Sequence, residues 1–188
     1  GPWAGSTLSE LIGRFGAELL GKANYARFGQ EFPLLVKFID AREDVSIQVH
    51  PDDELARKRH GKSGKCEMWY VLEAEPGASL LTGFSRPIAP AEYERRVADN
   101  TLTDVLNRQA IASGDVFYLP AGRVHSIGKG SFIVEIQQSS DITYRIYDFD
   151  RRDAAGNSRE LHTELAREAI DFESSENSRI TYAPENNQ

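Results

Sequence analysis

The sequence predicts a mainly β fold, an antiparallel β-barrel or sandwich with a few short helices at its periphery. Two observations support this prediction. Short runs rich in Val, Ile, Tyr and Phe recur along the chain from Phe32 onward, and turn-forming residues separate them, a pattern typical of antiparallel all-β domains. The chain has 188 residues, 40% of them hydrophobic, which is enough for one good-sized core rather than two.

The elements follow in order along the chain. Thr7 and Glu10 form a capping-box pattern ahead of apolar residues at helical spacing, so one helix is expected to run from here to a stop at Gly21. Strands are expected at about 34–40, 45–50, 67–74, 78–83, 115–119, 123–127, 131–138 and 143–149. Helices are expected at 89–97, 101–106 and about 159–170, and the sequence RKRHGKSGKC predicts a basic loop.

These elements divide the chain into three segments of a single domain. Residues 1–31 are predicted to be a helical segment, residues 32–151 the β-barrel, and residues 152–188 a helix followed by a polar tail. The tail is expected to contain at most one edge strand and then to be disordered.

Composition narrows the function classes. The net charge of −7 argues against a nucleic-acid partner, because such binding depends on cationic contacts with phosphate. A small anionic substrate would need only a local cluster of Lys and Arg. We expect no membrane partner, because no apolar run is long enough for a span and the N-terminus lacks signal-peptide features. The single Cys66 fits a reducing compartment, so a cytoplasmic protein is expected.

Four polar residues fall in positions that suggest a metal site. Gln48 and His50 share one face of the strand in DVSIQVHPDD, opposite its apolar residues. Glu67 opens the strand EMWYVLEA, and His125 ends the pattern G-x5-P-x-G-x2-H, in which the Pro and Gly fix a tight turn. A solvated strand face and a hydrogen-bonded core histidine are the alternative interpretations. Together the four side chains would suit zinc, and also iron or manganese.

Several of these segments resemble a known family. The G-x5-P-x-G-x2-H pattern is similar to the second motif of the cupin superfamily. LLVKFIDAREDVSIQVHPDDELA, GKCEMWYVL, PAGRVHSIG and EIQQSSDITYRIYDFDR occur in that order and resemble type I mannose-6-phosphate isomerase in its short bacterial form. The match runs from about residue 34 to residue 151. The resemblance implies a cupin-like antiparallel β-barrel (jelly roll) with one zinc ion per chain.

The resemblance also implies roles for individual residues. It assigns Gln48, His50, Glu67 and His125 to zinc binding, Arg145, Glu135 and Lys65 to catalysis, and Ser46, Lys37 and Asp141 to substrate binding, with Ser46 and Lys37 near the phosphate. Two of these assignments agree with the local pattern. Glu135 lies opposite the apolar residues of SFIVEIQQ. Lys37 interrupts LLVKFI, where a buried charge needs an anionic partner: a bound phosphate, or a carboxylate such as Asp40 or Glu135.

The activity that the resemblance implies is reversible isomerisation of mannose 6-phosphate and fructose 6-phosphate through an enediol. Arg145 is expected to stabilise the enediolate, because a guanidinium stays protonated near neutral pH. The base remains open among Glu135, Lys65, Asp141 and His50, with a zinc-bound hydroxide as a further candidate.

Two alternative functions stay open: a metal-containing cupin that binds a sugar phosphate without turnover, and an iron-dependent cupin oxygenase. His162 is expected on the surface of the last helix. The sequence leaves the oligomeric state open.

Overall fold

A computed structural model of the chain describes residues 1–173 and 177–183. The helices are α1 (Leu8–Phe15), α2 (Ala17–Leu20), α3 (Lys22–Phe28), α4 (Asp53–His60), α5 (Pro90–Ala98) and α6 (Thr163–Ala169), with a 3₁₀ turn at Leu102–Val105. The strands are β1 (Leu34–Ala41), β2 (Ile47–Val49), β3 (Glu67–Ala74), β4 (Ser79–Phe84), β5 (Leu106–Ala110), β6 (Val116–Leu119), β7 (His125–Ile127), β8 (Ser131–Gln138), β9 (Tyr144–Tyr147) and β10 (Arg179–Ile180).

The strands of the described residues form two antiparallel sheets of five strands each. The first sheet has the order β1-β8-β3-β6-β10, and the second has the order β5-β4-β7-β2-β9. Trp69, Phe117 and Ile133 of the first sheet pack with Leu80 and Ile127 of the second in one buried cluster, so the sheets enclose a common core. This arrangement agrees with the predicted antiparallel all-β architecture.

The two outer faces of the sheets differ. Helices α5 and α6 cover the second sheet, where Tyr93 and Ala166 pack against Ile47 and Val49. The outer face of the first sheet has no such cover from the described part of the chain. Its large apolar side chains remain exposed: Leu34, Val36, Phe38, Tyr70, Tyr118 and Ile180.

Most predicted strands are present within one or two residues, but several expectations were wrong. The N-terminal segment contains three short helices instead of one: the helix ends at Gly21 as predicted, but it is broken at Gly16, and α3 follows Gly21. The first four residues of the expected basic loop, 57–60, instead form the end of helix α4. Asp52 caps the start of this helix, where its side chain accepts from Leu55 N at 2.8 Å.

Further corrections concern the later part of the chain. The helix expected at 101–106 is only a 3₁₀ turn, followed by strand β5, which the sequence did not predict. The last helix begins at Thr163, later than expected. The short strand β10 pairs with β6 at the edge of the first sheet, as expected for the tail. The predicted disorder of the terminus falls on 184–188, outside the described residues.

Candidate metal centre and substrate cleft

Three buried ligand-type side chains meet between the two sheets. His50 follows β2, His125 begins β7, and Glu67 begins β3 in the opposite sheet. His50 Nε2 lies 3.2 Å from Glu67 Oε1, and His125 Nε2 lies 3.5 Å from Glu67 Oε2. One ligand atom from each of the three residues lies within 4.8 Å of the others. We call these three residues the His-Glu-His cluster.

The outer ring nitrogens fix the tautomers of both histidines. His50 Nδ1 lies 2.9 Å from the carbonyl oxygen of Ile142, and His125 Nδ1 lies 2.8 Å from that of Arg123. Because a carbonyl only accepts hydrogen bonds, each neutral imidazole carries its proton on Nδ1 and directs the Nε2 lone pair into the cluster. This is the usual arrangement of metal-ligating histidines.

The cluster leaves buried polar atoms without partners. Within the described residues, His50 Nε2 and Glu67 Oε2 have no hydrogen-bond partner, and Glu67 Oε1 has an ion-pair contact with Lys65 Nζ, at 3.1 Å. An unsatisfied buried acceptor costs about 1–3 kcal/mol, and more when it is charged. Converging lone pairs on imidazole nitrogen and carboxylate oxygen are the donor set that a divalent cation takes. The cluster therefore fits a metal ion.

The protonation states of the cluster also fit a metal site. Burial lowers the pKa of His50 to about 4, and this effect outweighs the neighbouring carboxylate. Burial alone would raise the pKa of Glu67, but the neighbouring side chains of His50, His125 and Lys65 together hold that pKa below its usual range. At neutral pH, His50 is therefore neutral and Glu67 is ionised, and these are the forms that bind metals.

Gln48 reaches the cluster from the neighbouring strand. It pairs with His125 across β2 and β7, and its Nε2 lies 3.4 Å from His125 Nε2. The two orientations of an amide are assigned from the hydrogen-bond network. Turning the amide of Gln48 would present its oxygen to the cluster as a fourth donor.

The turn before β7 positions His125, as the Pro and Gly of the motif predict. The amide of Arg123 donates to Pro120 O at 3.2 Å, and Gly122 has a φ of +87°. Gly122 N also donates to His50 O at 2.9 Å. A Cβ at Gly122 would lie 3.0 Å from the carbonyl oxygen of Ala169, so the turn needs glycine both for its backbone angle and for its close approach to α6.

A cleft of about 920 Å³ lies beside the cluster, between the N-terminal helices and β1. Lys65 lines this cleft and is also buried against the cluster, with Nζ 3.1 Å from Glu67 Oε1. The cleft carries four cationic side chains and two acidic ones: Lys37, Arg57, Lys62, Lys65, Glu31 and Asp141. Its walls therefore favour an anionic ligand.

Lys37 and Glu135 form a bonded group on the inner face of the first sheet. Lys37 Nζ lies 2.7 Å from Glu135 Oε1 and also donates to Gln137 Oε1. Trp69 Nε1 donates to the other oxygen of Glu135 at 3.1 Å. The anionic partner of Lys37 in the structure is thus the carboxylate of Glu135, one of the two alternatives that the sequence left open.

Two residues expected to bind substrate lie in different surroundings. Asp141 lines the cleft, but its side chain is 79% exposed and forms an ion pair with Lys62 at 2.9 Å. Ser46 is buried just before β2 and does not line the cleft. The structure thus brings Asp141 and Lys37 to the cleft, but not Ser46.

Arg145 lies on β9 and pairs with Gln48 across β2 and β9. Paired residues leave a sheet on the same face, so Arg145 emerges next to Gln48, while its neighbours Tyr144 and Ile146 pack in the cluster beneath α5 and α6. Its Nη1 donates to Glu160 O at 2.9 Å. Burial and the nearby positive charge of Arg159 lower the pKa of Arg145.

Sequence reasoning missed three residues around the site. Arg57 and Lys62, expected in a basic loop, line the cleft. Their clustering in RKRHGKSGKC was the available signal. His162, expected on a helix surface, hydrogen-bonds to the main chain of Arg145 through Nδ1 at 3.1 Å. No local pattern indicates this contact, because the two residues are 17 positions apart.

Comparison with known proteins finds the same family resemblance as the sequence motifs. Residues 5–85 match the family phosphomannose isomerase type I, catalytic domain. The chain is 41% identical over 175 residues to mannose-6-phosphate isomerase ManA of Bacillus subtilis, with 93% of this chain and 54% of that protein covered. It is 40% identical over 170 residues to mannose-6-phosphate isomerase of Streptococcus mutans, with 90% and 52% covered.

A solved structure extends the likeness to the fold. The crystal structure of mannose 6-phosphate isomerase from Bacillus subtilis matches with a TM-score of 0.82 at 38% identity, over 91% of this chain and 53% of that one. This match confirms the predicted cupin-like fold. The chain spans about half the length of the curated relatives it matches. None of the helices in the described ranges is long and apolar enough to span a membrane. The motifs, the fold and these matches agree: residues 5–85 match the catalytic-domain model of type I phosphomannose isomerases, and the chain is similar to mannose-6-phosphate isomerases over about nine tenths of its own length.

Proposed function

We propose that the chain acts as a zinc-dependent aldose–ketose isomerase that interconverts mannose 6-phosphate and fructose 6-phosphate through an enediol. The observation that supports this most directly is that the His-Glu-His cluster and the cationic cleft adjoin each other. Lys65 belongs to both, because it lines the cleft and pairs with Glu67. The relatives from Bacillus subtilis and Streptococcus mutans are named for this reaction.

The reaction moves one proton from C2 to C1 and one from O2 to O1, so it needs polarised oxygens, a base near the two carbons and an anchor for the phosphate. Gln48, His50, Glu67 and His125 would hold the metal. A bound zinc ion would supply Lewis-acid polarisation of the sugar oxygens. Zinc suits the reaction because it accepts nitrogen and oxygen donors and has no redox chemistry of its own.

The structure favours two of the candidate bases. Glu135 is held in place through both oxygens by Lys37 and Trp69, and Lys65 stands between cluster and cleft. His50 is less suitable, because Nδ1 is bonded to a carbonyl and Nε2 faces the cluster. Asp141 is exposed and paired with Lys62. We propose that Glu135 or Lys65 carries the proton between C2 and C1.

Arg145 and the cleft cations would share the remaining charges. Arg145 stays cationic at neutral pH and emerges beside Gln48, so it would stabilise the enediolate by charge. Arg57 and Lys62 line the open part of the cleft and would bind the phosphate. Lys37 would contact the phosphate, as expected, and would keep its ion pair with Glu135.

A coupled assay of fructose 6-phosphate formation tests the proposal. The chain is stripped with chelator and measured before and after one equivalent of zinc, alongside Glu67→Gln and the control Glu18→Gln, which changes an exposed carboxylate on α2. We expect turnover only with zinc, a loss of at least a hundredfold for Glu67→Gln, and wild-type turnover for Glu18→Gln.

The other outcomes identify the competing functions. Stoichiometric zinc uptake and sugar-phosphate binding without product would reject catalysis by this chain and support a metal-containing binding module. Activity with iron and oxygen, and none with zinc, would indicate the oxygenase instead, because oxygenases need a redox-active ion.

A further inference from the structure

The segment before α6 holds the main chain of Arg145 on the open side of β9. Arg145 N donates to His162 Nδ1 at 3.1 Å, and His162 N donates to Arg145 O at 2.7 Å. Among the described residues, β9 is the last strand of its sheet and pairs with β2 alone. The imidazole nitrogen thus takes the place of the carbonyl that a further strand would supply.

The same segment also holds the side chain of Arg145. Its Nη1 donates to the carbonyl oxygen of Glu160 at 2.9 Å. Arg159 pairs with the carboxylate of Asp148, through Nε at 2.7 Å, and this contact secures the segment to the residue that follows β9. Arg145 is therefore fixed at three atoms by two residues, Glu160 and His162.

Helix α6 connects this contact to the metal centre. His162 stands at the N-terminal cap of α6, and its carbonyl accepts from Ala166 N at 2.8 Å. Just beyond the other end of the helix, Asp171 N donates to Gly122 O, and Gly122 N donates to His50 O, both at 2.9 Å. One short helix thus spans the distance between Arg145 and a histidine of the cluster.

The histidine is in the tautomer that this contact requires. To accept from an amide, Nδ1 must be unprotonated, so neutral His162 carries its proton on Nε2. Its side chain is only 24% exposed, and its ring lies 6.3 Å from that of Tyr144. His162 makes no side-chain cap bond to α6, so its Nδ1 is free for Arg145.

We propose that His162 is a positioning residue for Arg145: it sets the main chain of β9 so that the guanidinium stands beside Gln48 in the geometry that the reaction needs. The proposal rests on the proposed function, which gives Arg145 its part in catalysis. A misplacement of about 1 Å of such a group can cost a hundredfold in rate.

Two substitutions separate positioning from packing. In His162→Asn the amide oxygen stands where Nδ1 stood and keeps an acceptor for Arg145 N. In His162→Leu a similar volume remains, but the acceptor is gone. Each variant is assayed for kcat and KM with mannose 6-phosphate, zinc stoichiometry, thermal midpoint, and the NMR signals of the Arg145 amide and Nε–H. The amide signal also shows whether Asn has turned away to cap α6.

We expect His162→Leu to lose ten- to hundredfold in kcat, with KM within threefold and full zinc stoichiometry, because the contact acts on a group used in the transition state. His162→Asn should stay within threefold of wild-type kcat. Wild-type kcat in His162→Leu, or an equal loss in both variants when the Arg145 amide signal shows the bond retained in His162→Asn, would overturn the proposal.

The NMR signals keep the test separate from the proposed function. If the wild-type chain has no turnover, the isomerase proposal fails, and amide exchange then decides the positioning. We expect exchange of the Arg145 amide to be at least tenfold faster in His162→Leu than in the wild type, with a shifted Nε–H signal. Unchanged exchange and shift in His162→Leu would overturn the positioning role.

Discussion

At the scale of single residues, the site consists of ionisable groups whose charges are set by burial. His50, Glu67 and Lys65 are all nearly inaccessible to solvent, and the cluster puts two imidazoles and one carboxylate in contact. Such a group costs folding free energy unless a partner compensates it. The site should therefore respond strongly to pH in the absence of metal.

Metal-free protein should lose stability as the pH falls from about 6.5 toward 4. The pKa of His50 is about 4 in the folded chain, against an ordinary value of 6.5, so the unfolded chain binds the extra proton in this range and folding is disfavoured. The stabilising contribution is complete above about pH 6.5. The loss between pH 6.5 and pH 5 is about 2 kcal/mol, at about 1.36 kcal/mol per pH unit.

Urea unfolding of the chelated protein at pH 7 and pH 5 measures this loss. His50→Asn is the matched variant, because its amide can still donate to Ile142 O without titrating. We expect the drop in unfolding free energy to be about 2 kcal/mol smaller in His50→Asn than in the wild type. An equal drop in both proteins would show that other groups cause the pH dependence.

A second prediction concerns the cleft cations. Lys62→Met should raise KM for mannose 6-phosphate at least tenfold with little change in kcat, because an anchor contacts the phosphate equally in ground and transition states. Lys58→Met on the exposed part of α4 is the control and should keep the wild-type KM. Steady-state kinetics of both variants test the prediction, and a fall in kcat with unchanged KM would contradict it.

At the scale of elements, glycines allow short segments to approach each other. Gly64 lies against the start of α4, and a Cβ there would be 2.3 Å from the carbonyl carbon of Asp52 and 2.5 Å from Asp53 N. Gly64 N donates to Asp53 Oδ1 at 2.8 Å, and the next residue, Lys65, donates from its amide to Pro51 O at 3.1 Å. The close packing of Gly64 against the start of α4 thus positions the backbone of Lys65 next to the site.

Gly64→Ala should destabilise the chain by about 2 kcal/mol or more, because the added methyl must displace backbone rather than a flexible side chain. Gly13 offers the opposite case within α1, where an added Cβ meets nothing within 4 Å. Gly13→Ala should stabilise the chain by about 0.5–1 kcal/mol. Thermal and urea unfolding of both variants measure the two effects. Similar effects of the same sign would refute the steric explanation.

At the scale of the whole molecule, the ligands come from distant parts of the chain and from both sheets. His125 lies in the second sheet, His50 directly follows strand β2 of that sheet, and Glu67 lies in the first sheet. A metal ion bound by all three would link the sheets across their common core. An ion that binds only the folded chain stabilises it by mass action.

Zinc at a hundredfold excess over its dissociation constant should stabilise the fold by about 2.7 kcal/mol. For a chain of this size that raises the thermal midpoint by roughly 5–10 °C. Scanning calorimetry with and without zinc measures the shift, and Glu67→Gln should abolish most of it. A full shift in Glu67→Gln would place the stabilising ion elsewhere.

Local sequence patterns were sufficient to predict most of the strands, one turn and one helix cap of this protein. Alternation of apolar and polar residues gave most of the strands and placed Gln48, His50 and Glu135 on polar faces, because side-chain direction in a strand depends only on the period of two. The spacing of Pro120, Gly122 and His125 predicted the turn before β7. Thr7 and Glu10 form the predicted capping box, since its bonds span only three residues.

Contacts between distant segments depend on the folded chain. The pairing of Lys37 with Glu135, the position of Lys62 in the cleft and the bonds between His162 and Arg145 depend on strand register and helix docking, which no local pattern encodes. The predicted helix stop at Gly21 is confirmed, but the break at Gly16 was missed, because helical periodicity continues through a glycine that the backbone uses as a break. Local patterns in the sequence thus predict which strand residues face inward, and the packing of the two sheets brings particular pairs of them into contact.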